Sequence, residues 1–162
     1  MPAPQKVPSQ GLMSRIGYLL NRPALEIRQK VEAALKPLHI IPPHMGVLST
    51  LQSNGPQTQR SLGMMLKVDP TTMVWLIDGL EKKGLVRRGE HPKDRRAHLV
   101  ELSTEGKAVY RRAGDLISRV ENEFLAPLTK DEQQHLKQLL TKLFKSVPMQ
   151  AIPPKFFHGK HS

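Results

Sequence analysis

The residues best suited to chemistry in this chain lie between positions 69 and 102. Arg87, Arg88, Lys93, Arg95 and Arg96 crowd one short segment in which only Glu90 and Asp94 oppose them. Just upstream, Thr71, Trp75, Asp78, Gly79 and Lys82 recur at the spacing of one helix face. Hydroxyls at a helix N-terminus, with the amides left free there, suit phosphates or base edges. An arginine-rich ribbon neutralises phosphates, and Arg95 and Arg96 suit a minor groove, where narrow A·T tracts concentrate negative potential. This is the chemistry of polyanion recognition. No phosphate-cradling glycine loop, nucleophile elbow or cluster of metal ligands is present, so an enzyme is not expected.

Each of these residues also has a plainer reading. Thr72 can do no more than support the helix cap. Trp75, the single tryptophan, either packs on thymine methyls or sugars in a groove or forms a pocket wall under the hairpin; the groove is preferred. Arg96 can pair with Asp94 and still meet DNA. Lys82, Lys83, Arg87 and Arg88 suit phosphates or solvent better than base specificity. His39, His44, His91, His98 and His135 are scattered, with no pair at i, i+4 and no cysteine beside them. Neither a metal nor a cofactor is expected.

The elements that must position these groups follow from the pattern. Asp69 is a helix N-cap and Pro70 sits in the first turn, where proline is tolerated. Met73, Leu76, Ile77 and Leu80 form the buried stripe at i, i+3, i+4, i+7, and Gly84 ends the helix as a C′ residue. A strand, a cationic loop and a second strand follow. Upstream, Pro42 and Pro43 lead into a short helix with Val47, Leu48 and Leu51 inward. Asn54-Gly55-Pro56 makes a turn, and Thr58 caps a further helix burying Leu62, Met65 and Leu66. Gly63 in that helix costs about 1 kcal/mol against alanine, which close approach to the next helix would offset. Lys67 stands at the sharp bend between the two, where a positive φ is expected.

Residues 42–102 therefore read as a winged helix-turn-helix, a helix sized for the major groove beside a cationic hairpin. The flanks are helical. Leu12, Ile16, Leu19 and Leu20 begin a stripe near Gly11; Pro23 predicts a kink or break; Leu25, Ile27, Val31, Ala34 and Leu35 resume it as far as Pro37. Beyond the hairpin, Ser103 or Thr104 caps a helix with Val109, Ala113, Leu116, Ile117, Val120 and Phe124 on one side. Thr129 and Glu132 form a capping box for the last helix, which carries Leu136, Leu139, Leu140, Leu143, Phe144 and Val147. Residues 1–10 read as a flexible arm and 148–162 as an extended tail. The fold class is mainly α with a small β-hairpin.

The flanking stripes, 11–41 and 103–147, are too generous for the central module, so they are assigned to dimerisation. A homodimer also fits two-fold symmetric operators. The competing reading packs the first and last helices on each other within one chain. Lys and Arg outnumber Asp and Glu by 25 to 14, for a net charge of +11 and a pI near 10.2, which favours nucleic acid. No apolar run approaches the ~20 residues of a membrane span, and the first ten residues lack the apolar core of a secretory signal. With no cysteine, a reducing cytoplasm is the expected compartment.

Ile41-Pro42-Pro43, Thr58-Gln59 and Val68-Asp69-Pro70-Thr71-Thr72-Met73 resemble the MarR family of bacterial transcriptional regulators. So do Leu80-Glu81-Lys82-Lys83-Gly84-Leu85-Val86-Arg87-Arg88, the wing-tip run Pro92-Lys93-Asp94-Arg95-Arg96, and Leu102-Ser103-Thr104-Glu105-Gly106. The likeness runs from about Leu12 to Val147. It implies a dimer built from the terminal helices, double-stranded DNA as partner, and release by a small aromatic acid or phenol. By position, Asp94 matches a residue that braces the wing and Arg96 one that meets DNA. Thr58, Thr71, Thr72, Trp75, Lys82, Arg87, Lys93 and Arg95 complete the candidate DNA contacts. Tyr18, His39 and His44 fall where the family's effector pocket tends to lie. The chain departs from its relatives at Val74 and Trp75, where they usually place a small polar residue and a basic or small one. The expected function is a homodimeric repressor of a palindromic operator. A non-specific architectural winged-helix protein without an effector is the alternative.

Overall fold

The computed structural model describes residues 9–91 and 94–148, with His91 and residues 94–97 described by backbone alone. Helix α1, Gln10–Met13, is a single turn. α2, Ile16–Leu35, follows it and is continued by a 3-10 turn, Lys36–Leu38. Next come α3, Pro42–Asn54, the two-residue strand β1, Gln57–Thr58, and α4, Gln59–Leu66. α5, Pro70–Lys82, leads into β2, Val86–His91, and β3, Asp94–Leu102. Two long helices close the chain, α6, Thr104–Phe124, and α7, Lys130–Ser146.

Two of these elements differ in detail from the expectation. The first helix does not break at Pro23, which lies inside α2; the interruption falls earlier, at Ser14 and Arg15. A proline there forfeits one backbone bond, to the carbonyl of Leu19, a residue exposed enough for water to satisfy it. The hairpin is also not alone. β1 adds to it, giving an antiparallel sheet ordered β1-β3-β2, with Gln57 opposite Val100 and Val86 opposite Leu102. A two-residue strand carries no alternation to read, so composition alone shows a turn there.

One core organises the centre of the molecule. Val47, Leu48 and Leu51 of α3, Leu62 of α4, and Met73, Leu76, Ile77 and Leu80 of α5 are sealed together with Leu85, Val86 and Val100. Leu35, Val109 and Ala113 join them where α2 packs along α6. Met65 does not join them; it is 43% exposed. Gly63 is tight for a different reason from the one expected: an added Cβ would lie 3.1 Å from the carbonyl of Val68, in the bend itself. Lys67 does adopt φ 53°, as the bend requires.

The end of α5 is fixed in detail. Gly84, at φ 69°, donates to Glu81 and Leu85 donates to Leu80, which together close the helix as a Schellman turn. Ser103 then joins this turn to α6. Its amide donates to the Leu85 carbonyl at 3.1 Å, its hydroxyl donates to the Gly84 carbonyl at 2.6 Å, and that same oxygen accepts from Gly106. A Cβ on Gly106 would stand 1.9 Å from the Leu85 carbonyl oxygen. Only glycine fits this joint.

The ends of the chain differ from the centre. Thr129 and Glu132 form the expected reciprocal cap, and Gln133 ties the start of α7 to the carbonyls of Leu125 and Leu128. Beyond that tie, no other described helix or strand packs along α7. Leu139, Leu140, Leu143, Phe144 and Val147 are exposed, as are Leu12, Met13, Ile16, Leu19, Leu20 and Leu25. The first and last helices therefore do not cover one another within the chain. Among the described residues, no helix is long and apolar enough to cross a membrane.

Candidate nucleic-acid interface

The α5 helix is positioned by its cap and by its buried stripe. Asp69 accepts from the Thr72 amide at 2.9 Å and from the Thr72 hydroxyl at 2.6 Å. These bonds, the hydroxyl's first, hold the Asp69 carboxyl below its usual range. Thr72 is 6% exposed, so its side chain is committed to the cap and sits behind the helix surface. Thr71 takes the outer position beside it and is exposed. Thr58 likewise works as a cap: its oxygen accepts from the Ser61 amide at 3.1 Å. It is half-buried and opens α4 just before the bend.

Along the outer face of α5 lie Thr71, Val74, Trp75, Asp78 and Lys82, opposite Met73, Leu76, Ile77 and Leu80, which are at most 1% exposed. Trp75 is 46% exposed and Val74 39%. The ring of Trp75 is backed by His44 of α3, with centroids 6.2 Å apart and planes 23° from parallel. His44 is itself buried. Its Nδ1 accepts from the Ile41 amide at the start of α3, and its Nε2 faces Gly79, where a Cβ would lie 3.3 Å away. No described group hydrogen-bonds that Nε2. Burial, and then the charge of Lys83, push the imidazole down to about 4, so it is neutral at ordinary pH.

The cations of the hairpin divide by strand alternation. Val86 points into the core, so Arg88, two residues on, points the same way. There its guanidinium bridges Asp78 and Glu81 of α5, while its amide donates to Glu81. Arg88 thus locks the strand to the helix and is withdrawn from the phosphates or solvent expected for it. Arg87 faces outward, 71% exposed, and pairs with its cross-strand neighbour Glu101 at 2.6 Å. The fixing of Arg88 was missed in the sequence, although its parity with Val86 and the Asp78, Glu81 spacing of i, i+3 together point to it.

Lys82 is exposed at the end of α5, and Lys83 donates to the Gly79 carbonyl at 3.2 Å. Lys93 lies outside the described residues, and so do the side chains of Asp94, Arg95 and Arg96; the backbone of the last three belongs to β3. The three candidate effector residues occupy unlike settings. Tyr18 is half-buried on α2, His39 is exposed at φ 53° after the 3-10 turn, and His44 is sealed beneath Trp75. His44's contacts run to Ile41, at the entry to α3, and to Gly79 and Trp75 of α5.

The chain is similar in sequence and fold to known transcriptional regulators. The MarR family model matches residues 40–98. The HTH-type transcriptional repressor Rv2887 of Mycobacterium tuberculosis is 30% identical over 128 residues, 79% of this chain and 92% of that repressor. Its crystal structure in complex with salicylic acid aligns with a TM-score of 0.66 over 80% of this chain and 96% of that one. The transcriptional repressor CouR, bound to a 23-mer DNA duplex, is 27% identical and aligns at 0.77 over 85% of this chain and 98% of CouR. A mutant MarR from E. coli, complexed with operator DNA, is 29% identical and aligns at 0.70 over 81% and 94%. These relatives are regulators rather than enzymes. Likeness of that extent, 30% identity over 92% of a curated repressor together with the family match, means that this chain belongs to the MarR family of transcriptional regulators.

Proposed function

We propose that two copies of this chain, joined through α1, α2, α6 and α7, repress transcription by binding a palindromic operator. The observation that carries this reading is the state of α5: its inner stripe is sealed, while Thr71, Val74, Trp75 and Lys82 are open to solvent. The helix is held at a fixed angle by the Asp69 cap and the Arg88 bridge. A helix so held can enter a major groove while the hairpin follows the adjacent backbone. That the E. coli relative is complexed with operator DNA and CouR with a 23-mer duplex supports double-stranded DNA as the partner here. Asp94 then braces the hairpin, and Lys93, Arg95 and Arg96 meet DNA at its tip. Lys82 and Arg87 serve phosphates.

The salicylic acid complex of Rv2887 supports a small aromatic acid as effector. Tyr18 and His39 are the accessible candidates for it; His44 would meet such a ligand only if the Trp75 stack opened. Duplexes selected from a random pool test the main reading. An inverted repeat protected over two successive major grooves is expected, bound by a dimer in sedimentation at micromolar concentration. Affinity should fall with salt at a slope of about −0.9 per phosphate neutralised. A monomer, or selection that enriches no sequence, refutes the proposal.

A further inference from the structure

A recognition helix meets base edges with its N-terminal residues, and between Pro70 and Gly79 of α5 there is no Arg, Lys, Asn, Gln or Glu. Guanine is ordinarily read by a forked guanidinium or an ammonium, and adenine by a carboxamide. Asp78, an acceptor of the kind that reads cytosine, is engaged by Arg88. What the outer face offers instead is one hydroxyl, Thr71, and two apolar side chains, Val74 at 39% and Trp75 at 46% exposure. In the major groove the apolar feature that varies with sequence is the C5 methyl of thymine. Trp75 is suited to meeting it, because the neutral ring of His44 backs it and keeps its plane from swinging.

Resting on the operator reading above, we infer that α5 reads its half-site through 5-methyl groups of pyrimidines, with Val74 and Trp75 as the specificity-determining residues. His44 is a positioning residue for Trp75. Lys82, on the same face, supplies charge without base preference. Sequence discrimination by α5 is therefore directed at thymine steps, and any guanine specificity comes from the hairpin or from DNA shape.

Deoxyuridine tests this without altering the protein, since it removes the methyl and keeps every hydrogen-bonding group. On the duplex selected by the full chain, replacing one critical thymine by deoxyuridine should weaken Kd about fourfold, the effect of one buried methyl. Two such replacements in a half-site should weaken it more than tenfold. 5-methylcytosine placed at the same position should bind more tightly than cytosine. Val74→Ala and Trp75→Ala should each narrow the thymine-to-uracil ratio at one position, whereas Lys82→Ala should weaken both duplexes equally. His44→Asn should narrow the ratio at the Trp75 position only and alter the fluorescence of the lone tryptophan. Failure to enrich any sequence would overturn the operator reading and this inference with it. An enriched duplex whose affinity ignores every uracil replacement would overturn this inference alone, as would undiminished methyl dependence in both apolar variants.

Discussion

The leucines of the central module and those of the end helices obey the same periodicity and meet opposite fates. Leu48, Leu62, Leu76 and Leu80 are fully sealed, whereas Leu25, Leu139 and Leu143 are half exposed. Both sets lie on stripes of amphipathic helices, so the stripe itself does not decide the outcome. What decides it is geometry. Three short helices joined by tight turns, and closed by a sheet, bring their stripes face to face. A 17-residue helix that leaves the module after Thr129 has no other described helix or strand packed along it. An apolar stripe thus reports that a partner is needed, and only the fold says whether that partner is internal.

Several substitutions would break or sharpen this contrast. Leu76→Ala should cost about 2–5 kcal/mol, because a fully enclosed side chain leaves a cavity. The loss should be the same at every protein concentration in urea titrations. Leu143→Asp should instead leave the folding of the central module intact and shift sedimentation from dimer to monomer; an unchanged sedimentation coefficient would remove α7 from the interface.

Acid comes next in size. The folded imidazole of His44 is depressed to about 4, against roughly 6.5 when unfolded. The unfolded chain therefore takes up the proton first as pH falls. Its stabilising contribution is complete above about 6.5, drains away towards 4 and is constant below, with at most about 3 kcal/mol lost. Urea midpoints between pH 7 and 4.5 should show this decline, and His44→Asn should flatten it.

The two neighbouring arginines separate more finely. Arg88→Ala leaves Asp78 and Glu81 half-buried without their cation, and should cost about 1–2 kcal/mol. It should also loosen the strand from α5, measurable by faster hydrogen exchange of the backbone amides at positions 86 and 88. Arg87→Ala, on the outer face, should change stability by less than about 0.5 kcal/mol. Equal effects of the two would mean that strand parity does not sort these cations.

Much of this arrangement can be read in advance. Asp69, Gly84, Ser103 and the Thr129 to Glu132 box act over three or four residues, and local chemistry is legible locally. The buried stripe of α5 is equally plain. Other features depend on what lies opposite. Parity with Val86 turns Arg88 inward, but its pairing with Asp78 and Glu81 is fixed only when the strand is placed against the helix. His44 has the composition of a ligand-binding residue and the surroundings of a core residue; its stack on Trp75 crosses from one helix to another. Thr71 and Thr72 differ only in which way a helix turns them, and that rotation assigns one to the surface and one to the cap. The stripe of α4 narrows to Leu62, which is sealed, and Leu66, which is half-buried, and Met65 falls on its exposed edge.

The joint at Gly106 has a mechanical consequence. Because the exit of α5 and the entry of α6 share hydrogen bonds with no room for a methyl group between them, one cannot rotate without dragging the other. α6 runs 21 residues, a rod of about 31 Å at 1.5 Å per residue. Swinging its far end by about 5° sweeps an arc of ~3 Å across such a rod, nearly the rise of one base pair. In the dimer proposed above, whatever tilts that remote end, whether a subunit shifting or a small molecule wedged beside it, would retune the separation between two readers on a duplex without touching either of them.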